Sequence, residues 1–156
     1  MRRLLAAAAP LAAVAALTAT QAVDPSTLPE GEGRDALVRA CNDCHDLNSV
    51  TAQRRSRAEW QAIVEDMVGR GAQAEEGDAK RIAAYLAAHV GRANINRAPE
   101  EDLKTIIGFT AEEASAIVKA RAGGETLRVL DDVRKVPGVN AEKVDEKKDR
   151  IAFGGS

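Results

Sequence analysis

The residues with the most specific chemistry lie together at Cys41, Cys44 and His45. Two cysteines are separated by two residues, and a histidine follows the second cysteine directly. At this spacing each thiol can form a thioether with one vinyl group of a porphyrin, while the adjacent imidazole binds the iron from one face. The motif therefore predicts one covalent haem c, attached to Cys41 and Cys44, with His45 as the proximal iron ligand.

Other uses of these cysteines are less well supported by the sequence. The chain has 2 cysteines and 2 histidines, whereas a structural zinc site takes four such ligands at paired spacings, and His89 lies far from the rest. A disulfide across two residues closes a very small loop and stabilises little. A thioredoxin-like redox pair needs a βαβ context, which this sequence does not predict. Neither a zinc site nor a disulfide makes use of His45 in the way that haem attachment does.

An iron bound by His45 has a further coordination position, for which the sequence offers two ligands. Met67 is the only methionine besides Met1, and a thioether opposite histidine raises the reduction potential and suits electron transfer. Met67 also lies on an apolar helical stripe, where a methionine commonly just fills a core. His89 is the alternative ligand, although a helix C-terminus favours an imidazole without any iron. We expect Met67 to be the sixth ligand; a five-coordinate iron open to small molecules is the third alternative.

A basic cluster, Arg54, Arg55 and Arg57, interrupts an otherwise acidic segment. Because guanidinium groups bind carboxylates in a fork, Arg54 and Arg55 are predicted to contact the haem propionates. A solvated charged loop is the alternative. Trp60 is predicted to pack in the core or against the haem.

Residues 1–22 have the order of a secretory signal peptide. Arg2 and Arg3 precede an apolar run over residues 4–17, and small residues follow at Thr20 and Ala22. This order predicts cleavage after Ala22 and export to the periplasm or a similar oxidising compartment. The run is shorter than the roughly 20 residues that span a bilayer. An uncleaved membrane anchor is the alternative, and no other stretch predicts an integral membrane protein.

Removing residues 1–22 leaves 20 basic and 24 acidic side chains. Nucleic-acid-binding proteins are usually strongly basic. The overall charge therefore does not favour a nucleic-acid partner.

Composition and periodicity predict an all-α fold. Only 3% of the residues are aromatic, so the core must be built from Ala, Val, Leu and Ile in stretches that favour helices. Residues 23–33, rich in proline and glycine, are predicted to be an extended lead-in. Residues 34–91 follow as the segment that holds the haem motif, which lies at the end of a helix beginning at Arg34.

Two further helices are predicted within residues 34–91. Ser56 and Glu59 have the spacing of a capping box and begin a helix that ends near Gly69. A second helix runs from about Asp78 and stops at Gly91.

Several shorter matches accompany the haem motif: Arg54-Arg55, Glu59-Trp60, Met67, Gly71-Ala72 and Ile82-Ala83-Ala84-Tyr85-Leu86. Together with Cys41-x-x-Cys44-His45, they make residues 34–91 resemble the small haem domains of class I cytochromes c, especially those that accompany periplasmic quinoprotein-type dehydrogenases. The resemblance implies an electron carrier rather than an enzyme, a dehydrogenase or similar redox protein as partner, and Met67 as the family's ligating methionine. Many class I cytochromes, however, place that methionine much further from the haem motif.

Residues 92–153 form a second segment with an internal repeat. Each repeat has a short apolar helix, a turn with a glycine between hydrophobic residues (Gly108 or Gly138), and a second helix. Thr110 with Glu113 is spaced as a capping box, and Asn140 is a good N-cap. Two helical hairpins that pack on each other are predicted.

The second segment carries a wide match: Ala93-Asn94-Ile95-Asn96-Arg97-Ala98, Glu101-Asp102-Leu103, Gly108, Ala114-x-x-Ile117-Val118-x-x-Arg121, Asp131-Asp132-Val133, Val136-Pro137-Gly138-Val139 and Arg150-Ile151-x-Phe153. These residues make it similar to the tandem helix-hairpin-helix domain of ComEA-type DNA-uptake proteins. In DNA-binding members the hairpin reads Gly-hydrophobic-Gly and its backbone N–H groups meet phosphate, which implies Gly108 and Gly138 as DNA contacts. Here Thr110 and Asn140 replace the second glycines. Docking to a protein is therefore the expected use, and sequence-independent DNA binding is the alternative.

The sequence thus leaves three functional hypotheses. The first is an exported electron carrier with one haem whose second segment docks it to a redox partner. The second is a haem-bearing DNA-binding protein of the cell envelope. The third, a haem enzyme or small-ligand sensor, requires an open iron site.

Overall fold

The computed structural model describes residues 22–154, and this part of the chain is mostly helical. The predicted signal peptide lies outside the described residues, except for Ala22. The helices of the described part are α1 Arg34–Cys41, α2 Asn48–Thr51, α3 Arg57–Gly69, α4 Asp78–Val90, α5 Glu100–Asp102, α6 Ala111–Ala122, α7 Leu130–Arg134 and α8 Ala141–Glu146. Two short strands, β1 Ala93–Asn94 and β2 Ile151–Ala152, pair in parallel. At this level the prediction of an all-α fold is confirmed.

Helix α3 begins and ends where its sequence signals lie. The Ser56 hydroxyl accepts the Glu59 N–H at 3.3 Å, and the Glu59 carboxylate accepts the Ser56 N–H at 2.8 Å. This capping box satisfies N–H groups that have no partner inside the helix. The helix ends at Gly69 and buries Trp60 and Val64 against α4.

Helix α4 is fixed at its start by a buried carboxylate. Asp78, whose side chain is 1% exposed, accepts bonds from Arg39 of α1 at 2.7 Å and from Arg81 at 2.6 Å. It also accepts the Glu75 N–H at 2.8 Å. One side chain therefore holds the loop before α4 against the first turn of that helix and joins α4 to α1, the helix that carries Cys41.

The lead-in over residues 23–33 is not extended throughout. The Asp24 carboxylate accepts the Ser26 N–H at 2.9 Å and begins a 3-10 turn, Pro25–Thr27. Leu28 is buried, and the Tyr85 hydroxyl of α4 donates to the Pro29 carbonyl at 2.6 Å. The aspartate cap and this apolar anchor explain why the segment folds back onto the helices.

The second segment contains two helical hairpins. A π-helical turn, Leu103–Ile107, continues α5 and reaches α6 through Gly108, while α7 reaches α8 through Gly138. Both glycines have positive φ, 86° and 90°, a conformation that side-chain-bearing residues rarely adopt. The strand pair then closes the segment, with Ala93 opposite Ile151 and Asn94 opposite Ala152.

The two segments pack against each other. Arg57 of α3 pairs with Asp102 of α5 at 2.7 Å. Arg150 donates to the carbonyls of Ala87, Ala88 and His89 at the end of α4, at 2.9, 2.7 and 3.2 Å. The buried side chains of both segments belong to one apolar cluster, and the division at residue 91 stays a prediction.

None of the helices described here is long and apolar enough to cross a lipid bilayer.

Candidate functional site

The end of α1 and one face of α3 enclose an apolar cavity of about 170 Å³. Cys41 is the last residue of α1, and His45 follows four residues later. Met67 faces the same space from α3. The lining is Ala40, Cys41, His45, Ser49, Val50, Gln53, Trp60, Ile63, Val64, Met67, Val68, Ala72 and Leu86.

A second cavity of about 160 Å³ adjoins the first and adds Cys44 to the group. It shares Cys41, His45 and Met67 with the first cavity. The structure therefore brings together the four residues for which the sequence predicted covalent and iron-binding roles, three in one short segment and the fourth on another helix.

The two cysteines differ in their surroundings and are not bonded to each other. Cys44 is exposed and Cys41 is half-buried. Burial raises the pKa of the Cys41 thiol, and the neighbouring Cys44 raises it further. The Cys41 thiol is therefore protonated at neutral pH.

His45 is oriented by a residue that the sequence did not single out. The Ser49 hydroxyl donates to the Asp46 carbonyl at 2.7 Å, and its oxygen lies 3.1 Å from His45 Nδ1. Because the hydroxyl proton is directed at the Asp46 carbonyl, the Ser49 oxygen can accept a hydrogen bond from His45 Nδ1. A neutral imidazole with its proton on Nδ1 would offer the Nε2 lone pair to a metal. That is the tautomer a metal-binding histidine needs, with its other ring N–H held by a neighbouring group.

Asp46 fixes the same segment. Its carboxylate accepts the Asn48 N–H at 2.8 Å and thereby caps α2. The only sequence signal for this arrangement is the i, i+4 spacing of His45 and Ser49, which α2 brings together.

Met67 and His89, the two side chains predicted as alternatives for the sixth iron ligand, lie in different places. Met67 is half-buried and lines both cavities, whereas His89 lines neither. The His89 ring packs on Tyr85 with ring centroids 4.4 Å apart. Burial lowers the pKa of His89, and the nearby Arg150 lowers it further. The positions of the two side chains favour Met67 over His89 as a ligand for a group bound in these cavities.

Trp60 offers an unused donor at the cavity. Its side chain is 1% exposed and lines the cavity, and its indole N–H finds no hydrogen-bond partner within the described residues. A buried N–H without an acceptor costs about 1–3 kcal/mol. An acceptor on a bound group would remove this cost.

The arginine cluster does not reach the cavity. Arg54 donates to the Thr51 and Gln53 carbonyls at 2.9 and 3.2 Å. Arg55 donates to the Gln53 side chain at 2.7 Å, and Arg57 is engaged with Asp102. Within residues 22–154, Gln53 is the one residue of the cavity lining to which Arg54 and Arg55 donate hydrogen bonds, so propionate contacts by Arg54 and Arg55 stay a prediction.

In the hairpin turns, a carboxylate of the protein itself binds the backbone N–H groups that phosphate would bind under the DNA-binding alternative. Glu113, whose side chain is 7% exposed, accepts the Thr110 N–H at 2.7 Å and the Asn140 N–H at 3.1 Å. Lys143 donates to the same carboxylate at 2.6 Å. Glu113 thus binds backbone N–H groups after both Gly108 and Gly138.

No protein-family model matches this chain. Neither the curated proteins nor the solved structures include a significant match to it. Over residues 22–154, no three or more His, Cys, Asp or Glu side chains are grouped so that they could hold a metal ion by themselves.

Proposed function

We propose that this protein is an exported c-type cytochrome, one that carries a single covalent haem and transfers electrons. The observation that carries the proposal is the convergence of Cys41, Cys44, His45 and Met67 on adjoining apolar cavities. Export to the periplasm or a comparable compartment is part of the proposal.

The residues present fit a haem. Cys41 and Cys44 supply thiols at the spacing of the two vinyl groups. The Ser49 oxygen is placed to accept a hydrogen bond from His45 Nδ1, which would leave Nε2 to bind iron. Met67 supplies a soft thioether ligand, and the apolar walls limit the access of water. The unpaired Trp60 N–H gives a donor for a carboxylate. When bound, haem supplies a one-electron couple whose potential a histidine–methionine ligand pair raises.

Exchange of Met67 tests its role, with Ile63 as the matched control. Both side chains are half-buried on α3 and line the same cavity. Met67→Ala is expected to abolish the charge-transfer band of a thioether–iron bond and to lower the reduction potential. Ile63→Ala, which removes a similar volume, should keep the band. An unchanged spectrum and potential in Met67→Ala overturn the histidine–methionine assignment.

Binding of carbon monoxide separates the carrier from a haem enzyme or ligand sensor. A reduced wild-type protein with both axial positions filled should not bind carbon monoxide, while Met67→Ala should. Ready binding by the wild type supports an open iron site instead.

We further propose that residues 92–153 form a helix-hairpin-helix domain that docks the protein to a redox partner, such as a periplasmic dehydrogenase. Lys143 and Glu113 neutralise each other beside the turns, and Glu113 already accepts N–H groups there. An anion such as phosphate must displace this carboxylate to reach them. This favours protein docking over the alternative, a haem-bearing DNA-binding protein.

A gel-shift series with duplex DNA at low and moderate salt decides between these two uses. Docking predicts no retardation even at low salt, where backbone contacts to DNA are strongest. Retardation that weakens steeply with salt supports the DNA-binding alternative.

A further inference from the structure

The first residue of the predicted mature chain already has a specific partner. The Val23 N–H donates to the Asp46 carboxylate at 3.2 Å, across 23 residues of sequence. The Val23 side chain packs against the apolar core, while Ala22 is exposed. The Val23 nitrogen is therefore held by contacts with residues that remain in the chain after the predicted cleavage.

We propose that Ala22–Val23 is a processing site whose cleavage creates an ion pair between the Val23 α-ammonium and Asp46. The inference rests on the export that forms part of the proposed function. Hydrolysis of the Ala22–Val23 peptide bond adds one water, leaving a carboxylate on Ala22 and an amine on Val23. An α-amino group has a pKa of about 7.7–8.0 and is mostly protonated at neutral pH. A neutral peptide N–H beside the carboxylate is thereby replaced by a cation within the 4 Å range of an ion pair.

The partner of the new terminus belongs to the segment that carries His45. Asp46 follows His45 directly, caps α2 through the Asn48 N–H, and accepts the Ser49 hydroxyl on its carbonyl. The mature N-terminus thus fastens the short segment that holds the imidazole. The Asp46 carboxylate therefore links cleavage after Ala22 to the position of the segment that carries His45.

The exported protein is tested first by its intact mass and N-terminal sequence. The mature chain should begin at Val23. A mature chain that begins at any other residue, or that retains residues 1–22, overturns it.

A double-mutant cycle then measures the ion pair in the full exported chain. One change is Asp46→Asn, which removes the charge and keeps an oxygen acceptor. The other inserts two glycines between Ala22 and Val23, which moves the amine by up to about 7 Å. Asp46→Asn should lower the melting temperature by about 1–4 °C more in the chain that begins at Val23 than in the extended chain.

This excess should shrink at high salt, because exposed charges are screened. Equal losses in the two backgrounds contradict the ion pair. Haem content, read from the same samples after denaturation, reports separately on the proposed function. A haem-free chain that begins at Val23 and shows the coupling retains this inference while the cytochrome proposal fails.

Discussion

Ser49, in the helix that follows the haem motif, contacts His45 directly and orients its ring. The Ser49 hydroxyl donates to the Asp46 carbonyl, so its oxygen is free to accept a proton from His45 Nδ1. A hydrogen bond that withdraws this proton makes the imidazole a stronger electron donor. In the proposed cytochrome, stronger donation would stabilise ferric iron and hold the reduction potential down.

Ser49→Ala is therefore expected to raise the reduction potential of the haem protein. One hydrogen bond contributes at most about 1.5 kcal/mol, and a tenfold change in a one-electron equilibrium corresponds to about 59 mV. Since only the difference in bond strength between the two oxidation states moves the potential, the rise should not exceed about 60 mV. Potentiometric titration measures it. Ser49→Thr keeps the hydroxyl and should leave the potential near its original value. An alanine variant with the wild-type potential shows that Ser49 has no part in orienting His45.

Asp78 makes a pH-dependent contribution at the start of α4. The Glu75 N–H and the Arg81 guanidinium, assisted by Arg39, outweigh burial and lower the pKa of Asp78 from 3.8 to about 2. A carboxyl group with a lowered pKa stabilises the fold above its unfolded pKa, and this stabilisation is lost as pH falls through the folded value.

Asp78→Asn should accordingly lower the melting temperature by several degrees at neutral pH, and by progressively less as pH falls from about 4 to about 2. Thermal unfolding across this range, followed by circular dichroism, measures the difference. Glu76→Gln, at an exposed neighbouring position, should change little at any pH. A deficit in Asp78→Asn that does not vary between pH 4 and pH 2 is incompatible with this assignment.

At the scale of the elements, Glu113 joins the two hairpins. Within α6 it completes the capping box with Thr110, and between hairpins it accepts the Asn140 N–H at the start of α8 and the Lys143 ammonium. Burial acts to raise the pKa of Glu113, but the bonds from Lys143, Thr110 and Asn140 outweigh it and lower the pKa overall. The carboxylate is therefore ionised at neutral pH.

Glu113→Ala should destabilise the protein by about 2 kcal/mol, since it removes a helix cap of about 1 kcal/mol and a hydrogen bond between hairpins of similar size. Urea denaturation measures the change. Glu112→Ala, at the exposed adjacent position, should cost much less. If the two substitutions cost the same, Glu113 does not join the hairpins.

The helices could be predicted because their signals are local. The Ser56–Glu59 and Thr110–Glu113 capping boxes and the Asn140 cap all appear where the sequence placed them. The sequence analysis did not predict the 3-10 turn Pro25–Thr27, because the proline and glycine content of the lead-in was given more weight than the capping residue Asp24. The π-helical turn before Gly108 carries no distinct pattern of its own.

At the scale of the whole molecule, the missed contacts are those between segments distant in sequence. Arg150 reaches the end of α4 across 61 to 63 residues, and strands of two residues are too short to show alternation. For the site, the sequence named the cysteines, His45 and Met67 by their chemistry. It could not show that α1 and α3 bring them to adjoining cavities, or that Ser49 holds His45.

A covalent haem stays on the chain when the protein is denatured, so haem retention after denaturation is the decisive measurement. The full chain is produced with a cytochrome c maturation system, alongside a known c-type cytochrome as loading control, and is examined by intact mass and haem-stained denaturing gel. The wild type should carry one haem, and none should be retained when Cys41 and Cys44 are both replaced by serine. A wild-type chain that is exported but carries no covalent haem, while the control is loaded, would show that this protein is not a c-type cytochrome.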